Sequence, residues 1–114
     1  MTQIPVPGKA VRGSRSGSPI MAMFDLLGRR WAMGVLWTLS ERGASTFRGL
    51  QEACETISPA VLNSRLKELQ AAGFVEQTPN GYAVTELGMS VYEALIPLSG
   101  VSKQWAASIE TVTK

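Results

Sequence analysis

The side chains best placed to do chemistry lie on one face of one short run, ISPAVLNSRLKELQAAG. Ser58-Pro59 is an N-cap followed by a first-turn proline, so a helix is expected from Pro59 to Ala72, stopped by Gly73. At about 100° per residue, Leu62, Leu66 and Leu69 share one face. Ala60, Asn63, Ser64 and Lys67 fall on the opposite face, and Arg65 lies at the boundary. These residue types suit the edges of base pairs. Asn bonds adenine bidentately, Ser serves several bases, Ala meets a thymine methyl, and Lys reaches guanine or phosphate. Backbone amides at the start of such a helix also favour phosphate.

Other chemistries are poorly supplied. With no His, the sequence lacks imidazole base catalysis, His triads and most catalytic zinc sites. Its one cysteine, Cys54, forms neither an intramolecular disulfide nor a thiolate cluster. P-loop and dinucleotide-binding glycine patterns are missing. Glu41, Glu52, Glu55 and Glu68 read as scattered acids on helix surfaces. The expectation is therefore no enzyme, no cofactor and no metal. Cys54 follows Leu50 by four residues, on the face that carries Phe47, and reads as a small buried hydrophobe.

The elements that must position the polar face follow from periodicity and turn residues. At 114 residues the chain has room for one domain. Residues 1–18, rich in Pro, Gly and Ser, carry Lys9, Arg12 and Arg15 without an acid, and read as a flexible basic arm. The domain is expected over 19–114. A first helix begins at Ser18-Pro19 and is apolar nearly all round. A second, mostly apolar helix spans Arg29 to Arg42 and ends at Gly43. Gly34 inside it costs about 0.5–1 kcal/mol relative to Ala. A short helix follows Ser45-Thr46, then a tight turn, then the helix described above. Strands over 74–78 and 82–85 flank Pro79-Asn80-Gly81, a hairpin signal. A long helical region follows Thr85. Leu87, Val91, Leu95 and Leu98 mark one stripe, Pro97 and Gly100 should kink or break it, and Val101, Trp105, Ile109 and Val112 resume it. The fold class is mainly α with a small β-hairpin: a helix-turn-helix with a wing, whose second helix enters the major groove of DNA.

The runs LLGRRWAMGVLWTL, TFRGLQ, ISPAVLNSRLKELQAAGFVE and VTELG, in this order, resemble the HxlR family of winged-helix bacterial transcription regulators. The resemblance covers about residues 19–110. It implies homodimers on inverted-repeat operators in double-stranded DNA, joined through the N- and C-terminal helices. Carried over residue by residue, the implied DNA-contacting set is Ser58, Ala60, Asn63, Ser64 and Lys67. Arg48 is a phosphate candidate. Arg65 either meets phosphate or pairs with an acid such as Glu52. Arg29 and Arg30 match a basic pair before Trp31, and either meet phosphate or pair with Asp25 and Glu41. This wing is shorter and less basic than many family wings, with only Asn80 at its tip.

Ile20, Met23, Phe24, Leu27, Val101, Trp105 and Ile109 are the expected dimer interface. Trp31, Trp37 and Trp105 are the candidate walls of a pocket for a small hydrophobic or aromatic effector. Apolar runs are too short to span a membrane, and the first 19 residues lack the apolar core of a secretory signal, so a cytoplasmic protein is expected. The expected function is sequence-specific regulation of transcription, with repression as the expected sign. The alternative is a winged-helix module that binds protein and ignores DNA.

Overall fold

The structure, a computed structural model, describes residues 2–113, with side chains through residue 110. Val112 of the expected C-terminal stripe therefore lies outside the described side chains. In chain order the elements are α1 (Pro19–Leu27), α2 (Ala32–Arg42), α3 (Phe47–Ala53), α4 (Pro59–Ala71), β1 (Val75–Thr78), β2 (Gly81–Val84) and α5 (Glu86–Thr113). This is a winged helix: mostly helical, with one antiparallel hairpin.

Local chemistry accounts for most boundaries. Thr46 Oγ1 accepts the Gly49 amide at 3.0 Å and caps α3. Ser58 Oγ accepts the Val61 amide at 3.2 Å, and Pro59 occupies the first turn of α4. Thr85 Oγ1 accepts the Gly88 amide and donates to the Gly73 carbonyl, tying the start of α5 to the end of α4. Gly88 passes so close to the Phe74 carbonyl that a Cβ there would overlap it.

Leucines from every layer meet in the centre. Val35, Leu36 and Leu39 of α2 interlock with Leu50 of α3 and with Leu62, Leu66 and Leu69 of α4, all buried. Leu26 and Leu27 close one side, and Phe74, Val75 and Val91 close another. A core of this kind holds α4 by one face and leaves the other in solvent.

The hairpin pairs Val75 with Val84 and Thr78 with Gly81. Ser45 adds a third rung: its amide donates to the Tyr82 carbonyl at 2.9 Å, and the Tyr82 amide donates back at 2.7 Å. Gly81, at φ 112°, lets the turn close against the Ser45 carbonyl. The wing is thereby fastened to the loop before α3.

Four expectations need correction. Helix α2 begins at Ala32, because Trp31 takes a left-handed conformation at φ 74° and Arg29–Trp31 become a turn. Such a backbone is unusual for a bulky residue. Of the kink or break expected at Pro97, the break does not occur: helix α5 runs on to Thr113. Of its first stripe, Val91 is buried and Leu95 packs on the core, while Leu87 and Leu98 are exposed. Segment 2–18 is mostly exposed yet touches the domain at points where its composition argued against any packing: Ile4 rests on the core, and the Arg12 amide donates to Asp25 Oδ2 at 3.1 Å.

Candidate nucleic-acid interface

Helix α4 is built to show one face. Its leucines sink into the core, so Ala60, Asn63, Ser64 and Lys67 stand in solvent together with Ser58. Among the described residues, none bonds the side chains of Asn63, Ser64 or Lys67. Ser58 Oγ is engaged as an acceptor by its cap, which leaves the hydroxyl proton to donate. The five residues share the N-terminal two-thirds of one exposed helix, the part that a recognition helix presents to a groove.

The arginines divide into two kinds. Arg48 is 90% exposed, and its Nε lies 3.8 Å from Glu52, a loose surface pair of little energetic weight. Arg30 is exposed too. Arg65 and Arg29 are not. Arg65 Nη1 donates to Glu68 Oε1 at 2.6 Å, and its Nε donates to the Arg30 carbonyl at 2.6 Å. Arg29 Nη1 reaches Glu68 Oε2 at 2.6 Å and the Gln3 carbonyl at 3.3 Å. Glu68 is only 13% exposed and takes one guanidinium on each oxygen.

Arg65 is therefore an intradomain anchor, and its acid is Glu68 rather than Glu52. Arg29 pairs with that same carboxylate. The partners expected for Arg29 and Arg30 are engaged elsewhere. Asp25 holds the Arg12 amide. Glu41 lies beside Tyr92, whose hydroxyl is pushed up by desolvation and then by the Glu41 carboxylate.

Glu68 is the functional residue that sequence reasoning missed, having placed it among scattered surface acids. The i, i+3 spacing to Arg65 was a local signal for one pair. Nothing local signals Arg29, which is 39 residues away. The cluster joins α4 to the turn before α2 and to the N-terminal segment. It sets the angle at which the polar face projects.

The wing offers little charge. Asn80 is exposed at its tip, with its backbone amide held by Thr78 Oγ1 at 3.1 Å. Glu76 and Gln77 are exposed beside it.

Of the expected interface residues, Leu27 belongs to the core and Met23 packs against it. Ile20, Phe24, Val101, Trp105 and Ile109 are exposed. The expected tryptophan pocket does not assemble. Trp31 packs on the core, Trp105 is exposed, and Trp37 stands edge-on to Tyr92 with ring centres 5.0 Å apart. Burial pushes the Cys54 thiol up, against the opposing effects of a Thr38 hydrogen bond and the Arg42 charge, as suits an unreactive core cysteine. Among the described residues there is no cluster of metal-ligating side chains, and no helix is long and apolar enough to cross a membrane.

Known proteins are similar to this chain in sequence and in fold. The sequence model of the HxlR-like helix-turn-helix family matches residues 26–110. The HTH-type transcriptional regulator YvaP of Bacillus subtilis is 33% identical over 89 residues, covering 72% of this chain and 78% of YvaP. A Thermoplasma volcanium protein, described as a possible HxlR family transcriptional factor, is similar in structure with a TM-score of 0.66 at 28% identity, covering 82% of this chain and 86% of the other. Quinone-bound YodB from B. subtilis is similar with a TM-score of 0.65 at 31% identity, covering 79% of this chain and 97% of YodB.

Proposed function

The chain belongs to the HxlR-like helix-turn-helix family of DNA-binding transcriptional regulators, and we propose that it acts in the cytoplasm as a homodimeric repressor on an inverted-repeat operator. The supporting observation is the bare face of α4: Asn63, Ser64 and Lys67 exposed, unbonded by any other described residue, and backed by a buried leucine core. Buried polar residues would already have partners. These have none among the described residues, and their chemistry matches base edges and phosphate. In this reading Asn63 and Ser64 read bases, Ala60 lets the helix approach closely, and Lys67 and Ser58 bond the major groove or flanking phosphates. Arg48, Arg30 and Asn80 add phosphate contacts that position the domain without reading sequence. Arg65 and Arg29 act through Glu68 to hold the helix.

Two such helices related by a two-fold axis meet successive major grooves about 34 Å apart, so the operator is a palindrome. Occupying a promoter in this way excludes polymerase. No effector is assigned, because Trp31, Trp37 and Trp105 do not converge on one cavity.

The test is selection from a randomised duplex pool, with fluorescence anisotropy at low and physiological salt. An enriched inverted repeat, bound with affinity that falls linearly in log salt, is the expected result. No binding at either salt overturns the proposal and favours a protein-binding module, for which a wing without Lys or Arg would be suited.

A further inference from the structure

Helices α2 and α5 leave between them an open groove of about 340 Å³, lined by Met33, Gly34, Trp37, Leu95, Leu98 and Ser102 among others. No charged side chain lines it. Gly34 forms part of its floor on α2. A glycine inside a helix costs stability, and among the described residues none crowds it: a Cβ at Gly34 would meet only Trp31 Cε3, at 3.9 Å. Among the described residues, a side chain added at Gly34 would therefore enter space bordered mainly by apolar atoms. Its aromatic wall is held in place, since the Trp37 ring packs edge-on against Tyr92 at an interplanar angle of 64°.

The same helix that forms one wall also carries a large apolar side chain with nothing over it. Helix α5 continues past the core, and residues 101–110 are all exposed. Trp105 is 66% exposed, one turn beyond Ser102 at the end of the groove. Leu98, Val101 and Trp105 follow at spacings of three and four, so they lie on one stripe.

We infer that the groove above Gly34 receives the indole of Trp105 from a second copy of this chain. The inference rests on the homodimer proposed above and specifies its contact. In a two-fold interface, if one residue touches another, the reverse contact holds as well. Two α5 helices laid antiparallel, with the axis between Val101 and Ser102, set Trp105 opposite Leu98. Each lies roughly 5 Å along the helix from that axis at 1.5 Å per residue. Leu98 is itself a groove residue. The exposed stripe and the groove are therefore continuous, and one symmetry operation satisfies both. The uncharged lining suits an indole, and Trp37 supplies an aromatic neighbour for it. Glycine at position 34 is then explained by the partner's side chain rather than by anything within the protomer.

The test is sedimentation equilibrium on the full chain, comparing wild type, Gly34→Leu, Trp105→Ala and the double variant, with helix content checked by circular dichroism. Leu favours helix more than Gly, and Trp105 is exposed, so neither change threatens the fold. Each single variant is expected to raise the dimer dissociation constant by about thirtyfold or more. The double variant should be little worse than either single one, because both remove the same contact. A wild-type chain that is monomeric at micromolar concentration overturns both the dimer and this contact. A dimer equally tight in Gly34→Leu and Trp105→Ala overturns the contact alone and leaves the dimer standing. Such a dimer whose wild-type form binds the dye anilinonaphthalene sulfonate, and whose Gly34→Leu form does not, assigns the groove to a small apolar ligand instead.

Discussion

The two edges of α4 use similar residue types for opposite ends. On one edge, Arg65 and Glu68 are turned inward with Arg29 and form charged hydrogen bonds of 2.6 Å. On the other, Asn63, Ser64 and Lys67 bond none of the described residues. The first edge has spent its polar capacity on holding the helix. The second keeps its capacity for a partner. A charged residue on a recognition helix is therefore not evidence of DNA contact until its bonds are counted.

This contrast can be broken most sharply at Glu68. Glu68→Ala leaves two partly buried guanidiniums without their carboxylate and should cost about 2–4 kcal/mol of stability, read from the urea midpoint. Its DNA salt slope should stay unchanged, because no phosphate contact is lost. A variant as stable as wild type would show the anchored edge to be decorative. On the bare edge, Asn63→Ala should lower affinity for the selected operator by about 1–3 kcal/mol and relax preference at one base pair. Its own stability should move by less than about 0.5 kcal/mol. Equal losses of affinity for operator and random duplex would remove Asn63 from base reading.

Ser58 belongs to both edges. Ser58→Ala removes the cap of α4 and should cost about 1 kcal/mol of stability in thermal or urea unfolding. The smallest effects belong to Lys67→Ala and Arg48→Ala. Each should lower the salt slope of DNA binding by about one per monomer and weaken all sequences alike. The exposed 3.8 Å pair of Arg48 with Glu52 is too weak for stability to change measurably. An unchanged slope in both variants would place the phosphate contacts elsewhere.

Much of this was legible because it is written in local chemistry. Ser58-Pro59, Thr46, Gly43 and Asn80-Gly81 punctuate the chain by capping and turn rules that need no distant partner. The leucine spacing in α4 announced its buried face, and Leu62, Leu66 and Leu69 are indeed buried. By subtraction, the exposed set followed. The start of α2 was misread because apolar periodicity continues through Trp31, while the left-handed turn there depends on how the ring packs against the core. Pro97 and Gly100 pointed to a kink or a break in α5, and the helix is unbroken there.

Periodicity, caps and turns thus establish the order of elements and which face of α4 meets solvent, since each is a property of neighbours within about one helical turn. Three matters required the folded chain: that Arg29 and Arg65 converge on Glu68, that Leu27 joins the core while Phe24 stays exposed, and that Gly34 lines a groove beside α5. Each depends on distances between residues far apart in sequence, which packing alone sets.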